Sequence, residues 1–175
     1  PSRRTLIKGV AALPFASSVL AASTLSALPR FALVVGNARY PTAPLINPAN
    51  DAAAITKELQ GAGFAVTTCL DFGQQKFKEA VRLWSEQLAR SRGVGFFYFA
   101  GHAVQLNWRN FLLPVDVKLA RADDLVQSAV DITGVLEALG KAGNPMNIVM
   151  LDACRDNPFA SDQKSGRGLS QMDAP

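Results

Sequence analysis

Four short apolar runs punctuate the chain: RFALVVGN (30–37), FAVTTCL (64–70), GVGFFYFAG (93–101) and NIVML (147–151). Each has the length of a buried strand, and FAVTTCL is rich in β-branched and aromatic residues. Between the runs the period lengthens. From Asn50, the residues Ala52, Ile55, Leu59 and Ala62 recur at helical spacing until Gly61 and Gly63, which predicts a helix stopped by glycine. Phe77, Val81, Trp84 and Leu88 fall at i, i+4, i+7 and i+11, one apolar stripe of a longer helix. Val135, Leu136 and Leu139 mark a third helix, ending at Gly143. The segment AVQLNWRNFLLPVD reads as a short hairpin turning at Asn107, and YPTAPLINPAN, with three prolines, reads as a loop.

Strand and helix alternate, which predicts an α/β fold with a mainly parallel sheet, helices on both faces and a small β-hairpin. In such sheets chemistry gathers at the carboxyl ends of the strands. The third strand runs into Ala100-Gly101-His102 and the fourth into Asp152-Ala153-Cys154. The chain's one histidine and one of its two cysteines therefore stand at matching topological positions. If the two strands are neighbours, about 4.8 Å apart, imidazole and thiol share one cleft.

Charge changes the picture at one end only. The formal net charge is +4, but Arg3, Arg4 and Lys8 precede any acid, the first being Asp51. Without those three the chain carries 15 basic against 14 acidic groups. No basic stripe interleaved with aromatics remains, so nucleic acid is not an expected partner. Two cysteines and one histidine are too few for a structural zinc site, and no metal is expected. Residues 1–29 combine a positive start, a modestly apolar Ala- and Ser-rich middle and small residues near Ala21 and Ala27. This is the three-part pattern of an export signal, and SRRTLIK resembles the bacterial twin-arginine motif. A periplasmic or otherwise exported destination is the expectation, with an uncleaved anchor as the alternative.

Cys154 poses a problem, because it lies between Asp152 and Asp156. A neighbouring negative charge disfavours the thiolate, the form that attacks substrates. Either the thiol is inert or a positive group is expected to arrive beside it. Cys69, inside an apolar β-rich run, reads as a small core hydrophobe. A Cys69–Cys154 disulfide is conceivable after export, though no spacing requires it.

From Arg30 onward the chain resembles the large-subunit region of caspase-like cysteine peptidases, the group of caspases, paracaspases and metacaspases. The pieces that carry the resemblance are FALVVGN, NPANDAAAI, FFYFAGHAVQ, NFLLPVD and VMLDACRDNPF, with His102 and Cys154 separated by 52 residues, in line with caspase spacing. Bacterial metacaspase-like members are the nearest in character. Behind the leader of residues 1–29, the resemblance implies a three-layer caspase-like fold, with a catalytic large-subunit domain over 30–159 and the start of a mobile intersubunit linker over 160–175. It implies that His102 is the general base and Cys154 the nucleophile. It also implies an oxyanion hole made by the backbone N–H groups of Ala103 and Cys154. Many relatives carry glycine where Ala103 stands.

Animal caspases place glutamine two residues before the cysteine, whereas this chain has Asp152 there, and Asp51 matches the other pocket carboxylate of metacaspases and paracaspases. Two carboxylates suit a guanidinium or ammonium group, so peptide or protein substrates with Arg or Lys before the scissile bond are expected. From the residues alone, Asp51 reads first as an acid or cap at a helix N-terminus beside Asn50; the resemblance puts the pocket role ahead. Lys164 and Arg167 lie where relatives are cut between subunits, and the family's last two strands belong to a small subunit that would be a further partner. No cofactor is required. Calcium, which activates several metacaspases, remains possible through Asp116 and Asp131, with Asp123 and Asp124 as substitutes. The alternative function is a caspase-like interaction or regulatory module that does not cut.

Overall fold

The computed structural model describes residues 25–119 and 123–154, the last of these through its backbone. Most of the expected leader, and the 160–175 stretch with Lys164 and Arg167, lie outside the described residues. Four strands, β1 (Arg30–Gly36), β2 (Ala65–Leu70), β3 (Val94–Leu106) and β6 (Met146–Cys154), form a parallel array in the order β2-β1-β3-β6. Strands β4 (Arg109–Leu112) and β5 (Val130–Asp131) extend the sheet antiparallel from the far half of β3. The α/β architecture, mainly parallel with helices on both faces and one hairpin, is the expected one.

Strand alternation sorts the core into two layers. Leu33, Val35, Phe97 and Phe99 face α2 (Gln74–Ser91) and α4 (Ile132–Ala142). The stripe Phe77, Val81, Trp84 and Leu88 is buried there, and the Phe77 ring stacks on Phe99 at 5.8 Å. Ala32, Val34, Tyr98 and Ala100 face the opposite way, under α1 (Pro48–Gly61) and its buried Ala52 and Leu59. The helix begins at Pro48 rather than at Asn50, because proline's fixed φ and missing N–H suit a first helical turn. Its N-terminus lies close to the sheet: a Cβ on Gly36 would stand 2.6 Å from the Pro48 carbonyl oxygen and 2.8 Å from the Ala52 Cβ.

Two expectations need correction. The third strand and the first arm of the hairpin are one strand of 13 residues. Gly101 does not end it; the strand runs through this glycine at φ 157°, a value that residues with a Cβ rarely adopt. The fourth strand runs on beyond Leu151 to Cys154. The hairpin turns at Asn107 and Trp108, both at positive φ, as a two-residue turn between twisted strands demands. The five-residue α3 (Asp124–Ser128) and two-residue β5 have no counterpart in the pattern reading; neither is long enough to show a period.

Cys69 is a free, buried cysteine on β2. The order β2-β1-β3-β6 puts it three strand spacings from β6, roughly 14 Å. That is twice the reach of a disulfide, so a bridge to Cys154 does not form. Burial pushes the Cys69 thiol up to about 11. An unfolded thiol ionises near 8.5, so between these values the unfolded chain binds fewer protons and stability declines as pH rises. Urea midpoints measured across that window should fall, and Cys69→Val should remove part of the slope. Gly36→Ala should lower stability by about 1–3 kcal/mol through overpacking against Pro48 and Ala52, read as a reduced urea midpoint at unchanged m-value.

Candidate active site

The parallel pairing of β3 with β6 begins at Val94 opposite Met146 and ends at His102 opposite Cys154. Nine consecutive rungs fix this register, and a slip by one residue would turn every side chain of β6 to the other face. Val149, Leu151 and Ala153 pack on the α2/α4 layer, so a slip would expose them. Core packing thus brings the backbones of His102 and Cys154 side by side, about 4.8 Å apart.

His102 is half-buried. Its Nε2 lies 2.7 Å from the carbonyl oxygen of Ala43. A carbonyl only accepts, so this bond assigns the proton to Nε2 and leaves the Nδ1 lone pair of the neutral ring free. The Tyr40 ring braces the imidazole at 4.5 Å between centroids, tilted by 56°. The backbone N–H of His102 donates to the Tyr40 hydroxyl on the β4 side. Successive N–H groups along a strand point to opposite edges, so that of Ala103 points toward β6. Ala103 itself is buried in the α2/α4 layer.

The two carboxylates reach the same face from different elements. Asp152, exposed on β6, accepts a hydrogen bond from the Tyr98 hydroxyl at 3.2 Å. Asp51 sits in the first turn of α1, where the helix dipole favours an acid. The Tyr98 phenol is held well above its ordinary range by burial first, then by the charge and hydrogen bond of Asp152, then by the charge of Asp51. Both carboxylates therefore act on one hydroxyl, which keeps its proton and remains a donor. With Asp152 exposed and Asp51 half-buried, they present an acidic shelf to solvent. Clefts of about 400 Å³ between β2 and α2 and about 370 Å³ between α2 and α4 lie on the opposite face and contain none of these residues.

Two of the acids considered for calcium, Asp116 and Asp131, hold backbone groups of the fold. Asp116 accepts from the Gln74 N–H at 2.8 Å and caps α2. Asp131 caps α4 through Thr133 N–H and pairs with Arg109. Among the described residues no three His, Cys, Asp or Glu side chains gather as metal ligands would. Tyr40, Ala43 and Tyr98 are site residues that pattern reading missed. Strand alternation alone puts Tyr98 on the face of His102, four residues on, and was the available signal. Ala43 offers only a carbonyl, which no residue type announces.

The chain is 27% identical over 128 residues to mucosa-associated lymphoid tissue lymphoma translocation protein 1 of Homo sapiens, and equally to its homolog in Mus musculus. The alignment takes in 72% of this chain but only 15% of either relative. The family model described as Caspase domain matches residues 29–174, and the chain belongs to that peptidase family.

Proposed function

We propose that the protein is a cysteine endopeptidase that hydrolyses peptide bonds after Arg or Lys through a Cys154–His102 dyad. The observation that carries this reading is the rung that pairs His102 with Cys154 at the carboxyl end of the sheet. His102 Nδ1 takes the thiol proton, and the Cys154 sulfur attacks the scissile carbonyl carbon. The N–H groups of Ala103 and Cys154 receive the oxyanion of the tetrahedral intermediate. Collapse of that intermediate expels the amine, which takes the proton from the imidazolium, and an acyl-enzyme remains. Water, activated by the same imidazole, then releases the carboxylate product and restores the thiol. Nucleophile, base and backbone donors complete this chemistry without a cofactor.

The shelf of Asp51 and Asp152 supplies the preference for a cation, and it also answers why a thiol stands among acids. Two unit charges about 4 Å apart interact by roughly 4 kcal/mol at an effective dielectric near 20. A substrate guanidinium between the carboxylates offsets their field, so the thiolate becomes accessible when the right side chain is bound. Strand β6 has β3 as its one neighbour among the described residues, and Met146 and Met150 are exposed on it. These features support docking of the family's small-subunit strands there. Lys164 and Arg167 are the proposed points of self-cleavage, and the pattern of residues 1–29 supports export by a twin-arginine route to the periplasm.

A fluorogenic peptide panel varying the residue before the scissile bond tests the proposal. Arg and Lys peptides should be cleaved and Asp peptides should not. Cys154→Ala should lower kcat about a thousandfold or more, and Asp152→Asn should lower kcat/KM for Arg peptides about tenfold, the loss of one charge-assisted hydrogen bond. Cleavage confined to acidic sites would remove the specificity argument. Full activity in Cys154→Ala would remove the peptidase reading and favour an interaction module.

A further inference from the structure

Strand β1 leaves β3 at the rung of Gly36 and Ala100, and the Asn37 N–H makes the last bond across, to the Ala100 carbonyl at 2.9 Å. Beyond this point β4 takes the place of β1 beside β3, in a register set by Ala103 opposite Leu112. His102 then falls opposite Leu113. In an antiparallel pair such residues exchange two N–H···O=C bonds at every second rung. One is present, from the Leu113 N–H to the His102 carbonyl at 2.9 Å. The return path runs through a side chain. The Tyr40 hydroxyl accepts from the His102 N–H at 3.1 Å and donates to the Leu113 carbonyl at 2.9 Å.

An oxygen atom thus stands inside a rung of the ladder, at the residue that carries the imidazole. Three further features hold it there. A Cβ on Gly101 would come within 2.7 Å of the Tyr40 hydroxyl, so glycine leaves the space it occupies. Asn37, wholly buried, also donates through Nδ2 to the Leu113 carbonyl at 3.1 Å and fixes that acceptor. The Tyr40 ring packs in the small core of Val104, Phe111 and Leu125 while it braces the imidazole.

We propose that Tyr40 is a positioning residue for His102: its hydroxyl holds one rung of the β3–β4 ladder open while its ring supports the imidazole, and together they set the angle at which Nδ1 addresses Cys154. The proposal rests on the peptidase reading above. Without the hydroxyl, the His102 N–H and Leu113 carbonyl are drawn together to bond directly, and the backbone of the base moves with them. A displacement of about 1 Å at a reacting group costs on the order of a hundredfold in rate.

Tyr40→Phe keeps the ring and removes the inserted oxygen. With the best peptide, kcat should fall about 10–100-fold while KM stays within about twofold, and the melting temperature should drop by only a few degrees. Because the chain has one histidine, ¹⁵N-histidine labelling reports on His102 alone. The parent should show the Nε2–H tautomer in mildly alkaline buffer, and Tyr40→Phe a mixture of tautomers.

Unchanged kcat and an unchanged imidazole spectrum in Tyr40→Phe, with cleavage still dependent on Cys154, would overturn the positioning role and leave the peptidase reading intact. A rate loss accompanied by an equal rise in KM and an unaltered spectrum would also overturn it. A parent chain that cleaves no peptide would sink the peptidase reading, and the catalytic purpose of Tyr40 with it, whatever the spectrum shows.

Discussion

One strand has to serve three neighbours, and the site follows from how it does so. Over its first seven residues β3 lies between the parallel strands β1 and β6; from Ala103 onward it pairs with the antiparallel β4. Two strands cannot occupy one flank, so β1 must depart where β4 arrives. The departing chain, residues 37–47, delivers the Tyr40 side chain and the Ala43 carbonyl to His102, partway along β3. The other flank is undisturbed, and β6 continues to the rung of Cys154. His102 is thereby held by a loop on one side and offered to a strand on the other.

The same topology delivers the acids. Gly36, the last residue of β1, lets the N-terminus of α1 come down onto the sheet, and Asp51 in its first turn comes with it. Asp152 arrives on β6 one rung-pair before Cys154 and is tied to Tyr98, which lies beneath α1. The tyrosine therefore joins a carboxylate on the sheet edge to the layer that carries the second. A buried phenol needs an acceptor, and here the acceptor is a charge with solvent on its other side.

Much of this was legible in the sequence because long elements carry a period. The stripe from Phe77 to Leu88 specified α2, and Asn107 specified the hairpin turn. The strand ends singled out His102 and Cys154, and the resemblance of the surrounding segments added Asp51, Asp152 and Ala103. What stayed hidden was contributed by elements without a period or by atoms without a residue identity. Gly101 reads as a strand terminator, yet it serves as the gap that admits a hydroxyl. Tyr40 sits in a loop with three prolines, where no alternation says which way a ring points. The Ala43 carbonyl is common to every residue, so only folding distinguishes it.

Magnitudes decide how far the acidic shelf can discriminate. An exposed ion pair is worth about 0–1 kcal/mol, no more than about fivefold in affinity, and Asp152 is exposed. A tenfold preference for arginine therefore requires that the bound peptide itself exclude water from the shelf, raising the pairing toward the roughly 1.5–3 kcal/mol of a charged hydrogen bond. In the proposed mechanism the nucleophile experiences the same change with the same timing. While the shelf is empty and wet, solvent screens the carboxylates but no cation is present to favour the thiolate. On the proposed reading, once an arginine is seated and water excluded, cation and carboxylates neutralise one another, and the sulfur loses its penalty at the moment a scissile bond stands in front of it. Specificity and nucleophile activation are then one electrostatic event, which is a physical reason for a peptidase to keep acids next to its cysteine.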